Sequence, residues 1–243
     1  MNSTIVLDDR SSGPSVSRAR VSMEVARQAA IVSMAGVCVF LTLVLLLHAI
    51  KPELEPSWRF ISEYAIGRYG WIMVLAFIAW GLSFFALFVS LREEVQSRAG
   101  RIGRPVLLAV SLALIAAGLF PQDPVIAAPD QLTARGTLHA IASMIGIPGI
   151  PVAAMLLGWS LTRHNQDWKG RRRVVMWMAY LTCLSLVSMA GYLAIALPEA
   201  GGFRPGVLAG WMNRLVVLTY CAWQIAVSYG AFLVNSPRVA GRS

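Results

Sequence analysis

The sequence predicts an all-α fold: an integral membrane bundle of six transmembrane helices with the N- and C-termini cytoplasmic. Three observations carry this reading. Apolar residues fill 57% of the 243 positions and charged residues only 14%, whereas soluble domains carry about 25% charged residues. Six apolar runs reach or approach the ~20 residues that a helix needs to cross the hydrocarbon: 29–50, 71–91, 105–120, 137–161, 174–197 and 211–234. The connections alternate in charge, with 15 Lys and Arg on the side of the two termini and 6 on the other. Short loops rich in Lys and Arg stay in the cytoplasm, which places both ends there.

Taken in order, residues 1–28 are polar and read as a disordered cytoplasmic tail, and they do not resemble a cleavable signal peptide. Residues 29–234 form one transmembrane domain, and 235–243 a short cytoplasmic tail. The first, third and fifth runs end near Pro52, Pro121 and Pro198, as helices commonly do. The third run is the shortest, and its Pro105 suits a first helical turn, where a missing N–H costs nothing. In the fourth, Gly146-Ile147-Pro148-Gly149-Ile150-Pro151 predicts a kink whose freed carbonyls need partners from neighbouring helices or water. Gln224 is the mid-span amide of the sixth and is expected to bond across to a neighbour. Cys38, Cys183 and Cys221 all lie within apolar runs without a CxxC pair, which suits packing rather than a disulfide framework.

The net charge of +9 is accounted for by topology and by contact with anionic lipid. Membrane lipids are therefore the expected partners and nucleic acid is not; no protein partner is defined. The expected location is a bacterial-type cytoplasmic (plasma) membrane.

Residues with chemical potential gather on the side with fewer cations. His48 lies near the end of the first run, and Ser62, Glu63 and Tyr64 lie in the following connection. Asp123 follows the third run, Arg135 and His139 open the fourth, and Asn213 and Arg214 open the sixth. Ser57 and Gly67 suit the start and end of a short interfacial helix around Glu63. Ionisable groups at membrane depth are costly and mark candidate sites. Glu63, Asp123 and His139 are the candidate catalytic residues; His48, Ser62, Tyr64, Arg135 and Arg214 are the candidate substrate-binding ones. Each also has a plain structural role open to it, such as an Arg59–Glu63 pair on one helix face or an Asp123 turn.

Two stretches resemble the family of polytopic membrane proteins catalogued as domain of unknown function 998. The first is His48 with Ile61-Ser62-Glu63-Tyr64-Ala65-Ile66-Gly67 and Tyr69-Gly70-Trp71-Ile72-Met73. The second is Gly118-Leu119-Phe120-Pro121-Gln122-Asp123-Pro124 with Gly136-Thr137-Leu138-His139. The resemblance runs from about Ala29 to Val234 and implies that Ser62, Glu63, Gly70, Asp123, Gly136 and His139 are the recurring polar positions. It implies no activity.

Three functions fit these residues. The first is a membrane-embedded enzyme acting on a lipid or isoprenoid, with Glu63, Asp123 and His139 as acid–base groups. The second is a non-catalytic binding or assembly subunit, and the third a small transporter. No cofactor is defined: the ligand types suit zinc, but HExxH and CxxC spacings are absent, and haem ligation by His48 and His139 would require the two to face each other.

Overall fold

A computed structural model describes residues 14–236, and within them every long element is a helix. In chain order these are α1 (Pro14–Ile50), α2 (Gly70–Ser90), α3 (Arg98–Leu119), α4 (Ala134–His164), α5 (Arg172–Ala200) and α6 (Ala209–Val234). All six are long and apolar enough to cross a membrane, and each carries one of the six apolar runs, whole or but for its last residue. Shorter 3₁₀ segments lie at Ile61–Ala65, Pro129–Gln131 and Gln166–Arg171.

Each helix packs mainly on its chain neighbours, and α6 closes back onto α1. The result is a ring rather than a row. Six crossings bring the two chain ends to one end of the ring, called here the terminal end. The connections 51–69, 120–133 and 201–208 lie at the other, the turn end. Within the ring, Phe40 of α1 stacks on Trp80 of α2 at 4.3 Å between centroids. Gln224 behaves as its mid-span position predicts. It accepts from Trp80 Nε1 at 3.1 Å and donates to Ser83 Oγ at 2.8 Å and Ser33 Oγ at 3.3 Å. One fully buried amide thus bonds to two neighbouring helices.

Three sequence expectations need correction. The helix of α1 starts at Pro14, so residues 14–28 are helical rather than a disordered tail; residues 1–13 and 237–243 lie outside the described residues. The reason is local: Glu24 accepts from Arg27 and Gln28 one turn on, and Ala26 and Ala30 are already buried. Pro105 is not in a first turn, because α3 begins at Arg98, where Ser97 Oγ caps the N–H of Gly100 at 3.2 Å. Ser57 does not cap the segment around Glu63. That 3₁₀ turn begins only at Ile61, and Ser57 Oγ donates to Glu55 instead.

The Pro-rich stretch of α4 stays helical throughout. Pro151 has no N–H for the carbonyl of Ile147, and Tyr220 Oη of α6 donates to that carbonyl at 2.8 Å. Tyr220→Phe should therefore orphan a carbonyl and lower stability by about 1–3 kcal/mol, read as a lower unfolding temperature in detergent. An unchanged temperature would mean water takes the place of the hydroxyl.

The terminal end is locked by a buried carboxylate. Glu94, between α2 and α3, accepts from Asn165 Nδ2 (2.6 Å), Trp168 Nε1 (3.1 Å) and Asn235 Nδ2 (3.2 Å). It thereby ties the end of α4 and the end of α6 to one point.

Candidate functional site

At the turn end, the 61–65 turn folds inward, and almost every polar group around it is used to hold it. Lys51, at the end of α1, donates to the carbonyls of Tyr64 (3.1 Å) and Ile66. Burial lowers the Lys51 ammonium below its usual range, since the charged form loses hydration. Asn213 Oδ1 accepts from the N–H of Ile61 at 3.1 Å. Gly67 leaves the turn at φ +72°, and Tyr69 follows at φ 65°, a left-handed conformation uncommon outside glycine.

Arg214 is buried in α6 and bridges three elements. Its Nη1 donates to the carbonyls of Arg59 (2.8 Å) and Gly210 (3.1 Å), its Nη2 to Tyr64 Oη (3.4 Å), and its Nε to His48 Nε2 at 2.8 Å. An Arg N–H can only donate, so His48 Nε2 must carry a lone pair. His48 Nδ1 lies 2.7 Å from the carbonyl of Val44 and is the donor there. The bonding thus assigns His48 as the neutral Nδ1–H tautomer, with both ring nitrogens engaged. Tyr64 is fully buried, and burial raises its phenol further above neutrality, so it keeps its proton to donate to the Leu54 carbonyl (3.4 Å) while its oxygen accepts from Arg214.

Glu63 is 1% exposed. It accepts from Arg59 Nη1 (2.8 Å), the N–H of Phe60 (3.0 Å) and the N–H of Val125 (3.1 Å). The first two bonds shape its own turn; the third fastens the α3–α4 connection onto it. Asp123 closes that connection, accepting from the N–H and Oγ1 of Thr133 at 2.7 and 2.9 Å. Gly136 lies against this carboxylate so closely that a Cβ would overlap it, which explains a glycine in the first turn of α4. Ser62 Oγ donates to Gln122 Oε1 and joins the same two segments.

His139 is buried on α4. Its Nδ1 lies 3.0 Å from the carbonyls of both Ala117 and Phe120, so Nδ1 is again the donor. Its Nε2 makes no hydrogen bond to the protein and is not among the enclosed unpartnered atoms, which are Ser90 Oγ, Arg104 Nε and Trp223 Nε1 among the described residues. The ring lines a cavity that narrows from the turn end into the ring of helices. The outer part is open to the surroundings and lies between Phe60, Pro124, Leu132, Met189 and Phe203. The inner part is a narrow cavity of about 60 Å³ between Phe40, Phe77, Trp80, Leu114, Ile150 and Val216. Both parts share Ser62, His139, Ser143, Ile147 and Asn213. Among the described residues no Lys or Arg lines either part, and Asp123 is the only carboxylate that does.

At this end α5 is sparsely packed. Its buried residues are Val175, Met176, Ala179, Thr182 and Ser185, all in the half nearer the terminal end. Beyond Ser185 none of its residues is fully buried, and Met189 lines the outer part of the cavity.

The candidate residues therefore separate into groups. Glu63, Asp123, Ser62 and His139 surround the α3–α4 connection, whereas His48, Tyr64 and Arg214 form a second cluster behind the turn. Arg135 is exposed in the first turn of α4 and joins neither. Lys51, Gln122, Ser143 and Tyr220 complete the site and carry no sequence signal beyond lying near the others. Among the described residues no three His, Cys, Asp or Glu side chains converge as metal ligands. The two histidines do not form a pair for haem, since Arg214 occupies Nε2 of His48.

The fold and the apolar helices define a multi-pass helical membrane protein. The chain belongs to the family described as Protein of unknown function (DUF998), whose model matches residues 34–230. That span takes in both clusters and the cavity. No curated protein and no solved structure matches the chain.

Proposed function

We propose that the protein binds one neutral-headed amphiphile of the membrane, with the polar head beside His139 and the first part of its acyl or isoprenoid portion in the narrow inner cavity. The observation that carries this reading is the lining. An apolar interior of Phe, Trp, Leu, Ile and Val opens to a mouth of Ser62, Ser143, Asn213 and His139 Nε2, with no cation to receive a phosphate. Such a site selects hydroxyl, carbonyl or amide heads by hydrogen bonding. The 15-to-6 distribution of Lys and Arg supports a cytoplasmic terminal end, which puts the mouth on the extracytoplasmic side. Glu63 and Asp123 then serve to hold the walls of the mouth.

The test is photolabelling in bilayers with a diazirine-tailed diacylglycerol. Labelling is expected at the cavity-lining Ala142, Gly146 and Ile150 of α4 and Val216 and Tyr220 of α6, and Ala142→Phe, which fills the inner cavity, should abolish it. Equal labelling of the exposed α4 residues Leu138 and Met144 would sink the proposal. A second reading, an enzyme transforming that amphiphile, is favoured by one observation: His139 is held by two carbonyls with Nε2 free, as a general base requires. It predicts chemical conversion of the bound lipid by the wild type and none by His139→Gln; a binding protein converts it in neither case.

A further inference from the structure

A second site lies at the terminal end, on the outside of the ring between the end of α4 and the start of α5. We propose that this groove is a headgroup site for an anionic phospholipid. The groove is open on one side and is lined by Arg163, Arg172 and Arg173 together with Trp159, Trp177 and Tyr180. Its floor is Thr162 and Met176, both buried.

Three features give it the chemistry of a phosphate diester beneath a bilayer surface. Its three guanidinium groups are exposed, and none takes part in the ion pairs among the described residues, which join Arg27 to Glu24, Arg59 to Glu63 and Arg92 to Glu93. No carboxylate lines the groove among the described residues, so an anion would meet cations alone. Arg163 stacks over the Trp159 ring at 4.4 Å, which leaves the edge of its planar fork free for bidentate contact with phosphate oxygens. The aromatic side chains add the interfacial character. Trp159, Trp177 and Tyr180 are each 45% exposed or more, and Trp177 meets Tyr180 edge-on at 6.0 Å. Trp and Tyr at this level sit among headgroups, with acyl chains running down the exposed faces of α4 and α5 from the same point. Basic pockets between helices on such a face suit anionic headgroups.

The site has a mechanical consequence. Of the six helices α5 is the least buried within the molecule, and its packing is concentrated beside this groove. A lipid bridging Arg163 of α4 with Arg172 and Arg173 of α5 would hold the loosest helix to the ring.

The experiment is native mass spectrometry of the full chain, together with its unfolding temperature, in phosphatidylglycerol and in phosphatidylcholine. Wild type is expected to retain phosphatidylglycerol and to unfold at a higher temperature in it than in phosphatidylcholine. Replacing Arg163, Arg172 and Arg173 by Gln should lower retention by about fivefold for each arginine and erase the temperature difference. Arg98→Gln with Arg101→Gln, at the same end but outside the groove, should leave both intact. Retention unaffected by the groove substitutions, or lost equally in the control, would overturn the proposal by showing a diffuse charge effect. Stabilisation of phosphatidylcholine samples by inorganic phosphate alone, to the same degree, would overturn it in favour of a soluble anion. The groove arginines are exposed, so the variants should fold, as the unfolding temperature in phosphatidylcholine checks.

Discussion

Glu63→Ala should lower stability by about 3 kcal/mol, the scale for breaking a buried ion pair from one side, and lower the unfolding temperature by roughly 6–12 °C. The loss follows from what the carboxylate holds. Without it, the Arg59 guanidinium and the N–H groups of Phe60 and Val125 all lose their acceptor. The 61–65 turn then loses its internal brace and the α3–α4 connection its point of attachment. Glu63→Gln should shift in the same direction by less, because the amide keeps one oxygen as acceptor but turns an N–H₂ toward groups that are donors themselves. If Glu63 instead serves mainly to move a proton, Glu63→Gln should unfold at the wild-type temperature while losing function. Thermal unfolding of the pair of variants separates the two.

Arg214→Ala should be comparably costly, again about 3 kcal/mol, for a different reason. Among the described residues the side chain has no carboxylate partner within ion-pair distance; its value lies in serving several acceptors at once. Its removal leaves His48 Nε2, the Arg59 carbonyl and Tyr64 Oη short of a donor, each costing about 1 kcal/mol or more where water cannot enter. Arg214→Lys should recover only part of the loss, since one ammonium cannot reproduce the planar fork. Limited trypsin digestion gives an independent measurement. The segment holding Arg59 should be cleaved faster in Arg214→Ala than in wild type, because the turn is no longer fastened to α6. Wild-type stability together with wild-type cleavage would show that Arg214 is not the tie described.

The spans were legible because hydrocarbon demands long apolar runs and little else, so α2 and α6 match their runs within one or two residues. Helix ends were less so. Beyond the apolar part, α1, α3 and α4 continue as helices through polar residues, which membrane length alone cannot reveal: Glu24 and Arg27 support one extension and the Ser97 cap another. The residues around the turn end were also legible, since topology brings Glu63, Asp123 and His139 to one face. Their bonding was not. That Glu63 would bind Val125, or that Tyr220 would answer a carbonyl freed by Pro151 on another helix, depends on which helices are neighbours in the ring. Nor could composition show that α5 is the least buried helix, because lipid and protein interior favour the same apolar side chains.

The closure of α6 onto α1 carries a consequence for biosynthesis. Ser33, near the start of the first crossing, bonds with Gln224 and Ser228 of the last, so the seam is made by residues more than 190 positions apart. At ribosomal speeds of 5–20 residues per second, α1 waits about 10–40 s in the bilayer before its partner exists. During that interval its hydroxyl and small side chains face lipid or the insertion machinery. The ring can close only after synthesis of the sixth helix, and a truncation before Gln224 would leave α1 without its seam partner, open to capture by quality-control proteases.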